Sequence, residues 1–262
     1  MKCIICNSKM KFYFSKEFQK YDLEIVNYYQ CTFCGFVMSQ THQNMDLKSW
    51  KKLNHSYHEE FYTKGHNEAN FPPYFEQALM LYLLKNNNVL PNSDWLDYAA
   101  GTGTLSKILK SQFNIEVINF DKYLPASTNY LKDIEDRKFS LVINSAMFEH
   151  VTKREHLDLL NECVSKHGNL AIHTVVCEKI PKDPSWFYLL GVHCAFHTNK
   201  SMGILMKDWG YKYSIYSPIA KMWILFRDIE MGDELIKKID FLNELIGGRQ
   251  FYIKNGFYDY WK

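Results

Sequence analysis

The sequence lacks any marked excess of charge. Its 262 residues carry 31 basic and 29 acidic side chains, for a net charge of +2. A dedicated nucleic-acid binder needs a basic field to neutralise phosphates, so this balance speaks against that class. Also missing is any run of about 18 apolar residues, the length needed to cross a bilayer as a helix. The opening "MKCIICNSKM" has no apolar core of the kind that marks a secretory signal. These absences lead to the expectation of a cytoplasmic protein without a membrane span. Disorder is disfavoured too, since 47% of the residues are hydrophobic and 16% are aromatic.

Cysteine is present in a pattern. Of the 7 cysteines, Cys3/Cys6 and Cys31/Cys34 form two CxxC pairs. In a reducing compartment such pairs point to a metal before they point to disulfides. Each CxxC turn can aim two thiolates at one ion, and two turns complete a tetrahedral S4 set. Between them "KFYF" and "LEIVNYYQC" read as strands, and Gly35 suits a tight knuckle. A structural zinc ribbon is expected, with Cys3, Cys6, Cys31 and Cys34 as ligands and no open position for chemistry.

After the ribbon, "HSYHEEFY" divides between two readings: a solvated helix face, or a lid presenting Tyr57, His58 or Tyr62 to a ligand. "YFEQALMLYLLK" has helical spacing of apolar positions, with Pro72 and Pro73 just before it.

From Asp94 the pattern becomes strand, loop, helix, strand, which argues for a parallel sheet covered by helices. In "WLDYAAGTGTL", Gly101 and Gly103 permit a sharp turn that brings a ligand near the following helix. A dinucleotide loop wants a third glycine where Ser106 stands, and a P-loop wants Gly-Lys-Ser/Thr, which is missing. Asp97 ends the first strand, where it can meet a ligand ammonium. Asp121 closes "VINFD", where a carboxylate can accept both hydroxyls of a ribose. Ribose and a charged amino acid without pyrophosphate describe S-adenosylmethionine (SAM). "FSLVINS" is a further apolar strand, and "FEHV" follows at the edge where open α/β sheets place their ligands.

With these pieces in order, the sequence resembles the class I SAM-dependent methyltransferases over roughly residues 70 to 230. "LDYAAGTG" matches the glycine-rich motif, with Ala99 in place of its first glycine. "INFD" matches the ribose acid and "FSLVINSAMFEHV" the fourth-strand motif. The resemblance implies a Rossmann-like, mostly parallel sheet with an antiparallel last strand. It implies cofactor contacts from Asp97, Ala99, Gly101, Thr102, Gly103, Asp121, Lys122, Asn144 and Ser145, with Tyr62 from the lid. The short interval from Asp121 to Phe139 abbreviates the third strand and its helix, leaving Asp133 as a weak candidate for the adenine contact. The expected division is a ribbon over 1–45, a helical lid or linker over 46–90, the methyltransferase domain over 91–230, and a helix with an aromatic tail over 231–262.

Methyl transfer is an in-line displacement, so positioning accounts for much of the catalysis. A hydroxyl acceptor must also lose a proton, and histidine is the natural base. His150, His193 and His197 are the candidates. Glu149 could orient His150, or Glu149, His150 and His193 could hold a divalent metal. Some metal-using relatives carry a glutamate where Ala146 stands here, which favours the metal-free reading. A cysteine-rich module joined to such a domain is similar to bacterial sugar methyltransferases of surface-polysaccharide and antibiotic pathways. The resemblance therefore implies O-methylation of a nucleotide-linked sugar, with Trp186, Tyr188 and Phe196 available for stacking. The rivals are another small acceptor, such as a phosphorylated or phosphoramidate group, and a zinc-ribbon protein that binds RNA or modifies ribosomal RNA.

Overall fold

The computed structural model describes residues 1–64, 72–123, 130–134, 136–228 and 232–260. At the N-terminus, β1 (Met10–Phe18) and β2 (Glu24–Cys31) pair antiparallel, with Met10 opposite Cys31 and Phe18 opposite Glu24. β3 (Val37–Ser39) joins β2, and Ser39 then caps α1 (Gln40–Gln43) by accepting the His42 N–H at 3.2 Å. α2 (Leu47–Lys64) starts at Asp46, whose carboxylate accepts the Ser49 N–H at 2.8 Å, a capping contact. α3 (Tyr74–Asn86) starts directly after Pro73, where no helix bond calls for the missing N–H.

The elements of the large sheet and its helices follow in the expected alternation. They are β4 (Trp95–Tyr98), α4 (Thr104–Phe113), β5 (Ile118–Phe120), β6 (Tyr130–Leu131) and β7 (Phe139–Ser145). A single 3-10 turn, Phe148–His150, leads to α5 (Arg154–Glu162) and β8 (Val164–His173). β9 (Val176–Cys177), β10 (Ala195–Thr198), α6 (Asn199–Asp208), β11 (Tyr213–Ser217) and β12 (Met222–Phe226) come next. α7 (Gly232–Leu245) and β13 (Tyr252–Asn255) close the order. The strands form a sheet ordered β13-β11-β12-β8-β7-β4-β5-β6. From β8 to β6 every pairing is parallel, whereas β12 runs antiparallel to both β8 and β11. This is the Rossmann-like class I methyltransferase fold, preceded by a cysteine-rich segment.

Both faces of the sheet are covered, which is why its middle strands read as nearly unbroken apolar runs. Leu141 and Ile143 of β7 pack with Leu81, Leu105, Leu109 and Leu235, from α3, α4 and α7. Val142, on the other face, packs with Leu157 and Leu160 of α5 and Leu205 of α6. The two-residue β6 is the abbreviated third strand that the short interval required. The tail differs from expectation: after α7 it adds a strand, with Ile253 opposite Ile215 in β11. Among the described residues no helix is long and apolar enough to cross a membrane.

A second sheet, ordered β1-β2-β3-β10-β9, joins the ribbon to the excursion that leaves β8 and returns at α6. Met38 pairs with Ala195 and Val37 with Phe196. The Ser39 N–H donates to the Cys194 carbonyl at 2.8 Å. Thr198 donates its hydroxyl to the Cys34 carbonyl at 2.5 Å and caps α6 through Ser201. Gly35, at φ +76°, brings its backbone so close to Thr198 that a Cβ would stand 3.2 Å from Thr198 Cγ2. Glycine meets both the left-handed backbone and the close approach.

The four ribbon cysteines converge. Cys3 and Cys34 sulfurs are 3.7 Å apart, Cys6 and Cys31 3.4 Å, and Cys6 and Cys34 3.6 Å. Tetrahedral metal–sulfur bonds of about 2.3 Å require sulfurs about 3.8 Å apart, so the set fits one ion. Backbone N–H groups of Ile5 and Phe33 point at Cys3 and Cys31 sulfurs, both at 3.4 Å, as suits thiolates. Hydrogen bonding from Cys34 pulls the Cys3 thiol down to about 6, and the same contact pushes Cys34 up. Four clustered thiols cannot all ionise against one another without a cation between them. Cys31→Ser, which removes one of the four sulfurs, is expected to lower Tm by about 5 °C or more, given about 2–4 °C per kcal/mol at this size. Chelator treatment of the native chain should give the same drop in thermal melts, and an unmoved Tm in both would discard a structural metal.

Candidate active site

The glycine loop folds as its sequence demands. Ala99, Gly101 and Gly103 all have positive φ, at +58°, +54° and +71°. Gly103 also needs its missing side chain, because a Cβ there would lie 2.8 Å from the Tyr130 hydroxyl. Ala99 stands in the left-handed region at a cost of about 1 kcal/mol, so the alanine is accommodated with strain. Asp121 spans the loop: Oδ2 accepts the Gly101 N–H at 3.0 Å and Oδ1 the Tyr123 N–H at 2.8 Å. Tyr130 donates its hydroxyl to the Gly101 carbonyl at 2.8 Å. Asp97 is buried at the end of β4, where desolvation and the nearby Asp121 carboxylate push its pKa up to about 7.

A cavity of about 890 Å³ opens at this edge of the sheet, within the size range of small-molecule sites. Tyr98, Ala99, Phe120, Asp121 and Lys122 form one wall, and His150 with Val151 another. The roof comes from α2, through Leu47, Trp50 and Asn54, and from His42 of α1. Asp133 is exposed on the rim and is engaged by the Ile134 N–H at 2.7 Å. The residues of α2 that line the cavity are thus not the Tyr57, His58 or Tyr62 of the lid reading. Tyr57 is buried against Tyr21 in the ribbon core, with ring centroids 5.9 Å apart. The side chains of His58 and Tyr62 lie outside the described residues.

Glu149, His150 and His193 come together, their donor atoms all within 4.8 Å of one another. The two imidazoles meet edge to face at 4.9 Å. His193 Nδ1 lies 2.8 Å from the Tyr188 carbonyl. A carbonyl can only accept, so Nδ1 carries the proton and Nε2 the lone pair. Glu149 is buried, accepts the Thr174 hydroxyl at 3.1 Å, and has its pKa raised by desolvation. Its backbone carbonyl accepts the Cys194 N–H at 2.8 Å, one residue from His193.

His197 does not join this group. It sits on β10 between the rings of Phe36 and Phe148, at 4.9 and 5.5 Å, and burial holds its pKa down to about 3. Asn144 donates to the Tyr98 carbonyl at 2.8 Å and Ser145 to Gln77 Oε1 at 3.0 Å, so both are engaged inside the protein. Thr102 is exposed and bonds Thr104 at 3.2 Å. Tyr188 and Phe196 are buried in the aromatic core beside the ribbon, which leaves Trp186 of the three candidate stacking residues at a cavity wall. His42, Trp50 and His173 carry no signal in the sequence; each is an isolated aromatic residue, and only tertiary contacts bring it to a cavity.

No protein-family model and no curated protein matches the chain. Solved structures with a similar fold include magnesium protoporphyrin IX methyltransferase from Synechocystis PCC 6803 with bound SAH (S-adenosylhomocysteine). It shows 16% identity and a TM-score of 0.40 over 66% of this chain and 97% of that one. DesVI of Streptomyces venezuelae gives 14% identity and a TM-score of 0.42 over 67% and 98%. A plantazolicin methyltransferase, BpumL, in complex with a triazolic desmethylPZN analog and SAH gives 13% and 0.46 over 69% and 94%. All three likenesses are remote.

Ala99→Gly is expected to raise unfolding free energy by about 0.5–1 kcal/mol in denaturant titrations, since it relieves a left-handed alanine. In the free protein, the raised Asp97 pKa favours the folded state at low pH. Unfolded aspartate ionises near 3.9, so this contribution is full below about pH 4 and is lost as pH rises towards about 7. A ligand ammonium beside Asp97 has the opposite requirement, an ionised carboxylate. Calorimetric affinity for SAH should therefore rise about tenfold per unit up to about pH 7 and then level off. Asp97→Asn should flatten that profile, and an unchanged profile in the variant would assign the titration to another group.

Proposed function

We propose that this protein is a SAM-dependent O-methyltransferase acting on a small carbohydrate acceptor, most simply a nucleotide-linked sugar. The carrying observation is a single cavity that places the Asp121 end of β5 opposite His150. In this reading Asp97, Gly101 and Asp121 hold the cofactor, as a buried acid, an open backbone and a second-strand carboxylate are suited to do. Gly103 gives its cradle room, because a Cβ there would meet Tyr130 and Asn119. When bound, SAM supplies an electrophilic methyl carbon.

The chain's own residues orient the acceptor and take its proton. His150 lines the cavity and is the first recipient of the acceptor's hydroxyl proton. His193, its tautomer set by Tyr188, offers the Nε2 lone pair beside it. Glu149 steadies the imidazolium formed, while Trp50 and the rest of the roof restrict water. A second reading keeps the same side chains as ligands to a divalent metal, favoured by the closeness of their donor atoms. Against it, Ala146 stands where some metal-using relatives carry a further glutamate. The ribbon metal is zinc in this reading, since four thiolates in a closed tetrahedral set suit that ion.

Incubation of nucleotide sugars with SAM should yield a product heavier by one methyl group. His150→Ala and His193→Ala should each lower turnover by about 10²–10⁴ while SAH affinity stays within a few-fold. Full turnover in both variants would remove the histidine mechanism. Activity that disappears on chelation and returns with added magnesium or manganese would favour the metal reading instead. Elemental analysis should find one zinc per chain.

A further inference from the structure

A second chamber, of about 480 Å³, lies at the C-terminal end of β8 and beside the β11–β12 hairpin. His173, the last residue of β8, lines it, as do Tyr216 and Trp223, which face one another across the hairpin. Thr174, also in its wall, donates to Glu149 Oε2 at 3.1 Å, so the chamber borders the Glu149–His150–His193 group. None of the cofactor-loop residues lines it.

Its chemistry is specific. Tyr216 and Trp223 present a paired aromatic wall, with centroids 4.4 Å apart. Phe187 and Tyr260, also lining, are 54% and 42% exposed, beside a half-buried Trp186. Lys179 and Lys221 are exposed in the same wall, and neither forms an ion pair among the described residues. Glu178 supplies one carboxylate. His173 Nδ1 lies 2.7 Å from the Lys221 carbonyl, so Nδ1 holds the proton and Nε2 remains an acceptor.

Aromatic faces alone would suit a bare sugar, but a neutral sugar leaves two lysines without a use. A ring that stacks, phosphates that meet two ammonium groups, and hydroxyls that donate to Glu178 or His173 together describe a nucleotide. We propose that this chamber anchors the acceptor through a nucleoside diphosphate group, stacked against the exposed rings of Phe187 and Tyr260 with its phosphates on Lys179 and Lys221. The proposal rests on the methyl-transfer reading, and it locates the end of the acceptor that does not react.

The test is calorimetric titration of the full chain, saturated with SAH, with uridine diphosphate and with guanosine diphosphate. One-to-one binding of at least one is expected, weakened tenfold or more in Lys179→Ala/Lys221→Ala and again in Phe187→Ala/Tyr260→Ala. These side chains are exposed, so SAH affinity and Tm should stay unchanged in both variants and report an intact fold. A protein that binds SAH but neither diphosphate overturns the proposal, as does diphosphate binding that both variants leave intact. Inorganic phosphate binding as tightly as the nucleotides also overturns it, because the rings would then contribute nothing. Failure to bind SAH in the preliminary titration would count against the methyl-transfer reading and not against the chamber.

Discussion

Two residue pairs, Met38 with Ala195 and Val37 with Phe196, tie the ribbon to the segment that runs from β8 to α6. The excursion between β8 and α6 carries Thr174, Trp186, Tyr188 and His193, yet its only strands are the short β9 and β10. A segment of this length with so little regular structure needs outside anchors to hold one conformation. The ribbon provides them. Besides the strand pairing, Lys16 donates to the Leu189 carbonyl at 2.8 Å and Tyr13 to the Ile180 carbonyl at 2.7 Å. His42 Nε2 reaches the Gly191 carbonyl at 2.8 Å. Cys194 then links Ser39 on one side to Glu149 on the other. The ribbon that carries the cysteine cluster thus anchors the excursion on which His193 stands.

Burial sets the charge state on both sides of the site. Asp97 and Glu149 have lost water without gaining a cation, so desolvation raises both pKa values. His173 is pushed the other way, down to about 4, and stays neutral at pH 7. A site built like this is poorly satisfied when empty and well satisfied by a ligand with a positive group and hydroxyls. Ligand binding then stabilises charges that folding alone disfavours. A ligand that brought a cation beside Asp97 would draw its carboxyl into the ionised form, and one without a cation would leave it protonated.

The sheet was legible because its signals are local. An apolar run flanked by a glycine loop, as in "WLDYAAGTG", or by a turn, as in "FSLVINSAMFEHV", forms a buried strand wherever it falls in the chain. The CxxC pairs were legible for the same reason: the spacing alone aims two sulfurs. The seam between β3 and β10 was not, because "VMS" and "AFHT" are too short to carry a pattern and their pairing spans more than half the sequence. His197 and Tyr57 show the consequence of that gap. Both stand in polar-aromatic stretches that read as functional, and both are buried by ribbon contacts that local sequence does not encode. The tail failed differently: "QFYIKN" alternates weakly, and only the free edge of β11 makes a strand of it.

The seam also bears on what the ribbon does. A ribbon that reads nucleic acid would need a free, basic face, yet β3 gives its outer edge to β10, and β1 sends Tyr13 and Lys16 to the excursion. Arg154 of α5 donates to the Ile5 carbonyl at 3.0 Å, at the turn between Cys3 and Cys6, while its Nε holds Asp158 at 2.8 Å. Each of these contacts is directed inward, at the chain's own groups. The near-zero net charge fits the same picture, since an internal strut needs complementarity to its own domain and not a field that extends into solvent. A ribbon used this way has a clear physical purpose. A class I methyltransferase sheet offers its ligands only an edge, and a rigid second sheet set across that edge turns it into a walled cavity. The roof residues His42 and Trp50 and the neighbouring His193 all adjoin that second sheet, so the shape of the cavity depends on the ribbon as well as on the large sheet.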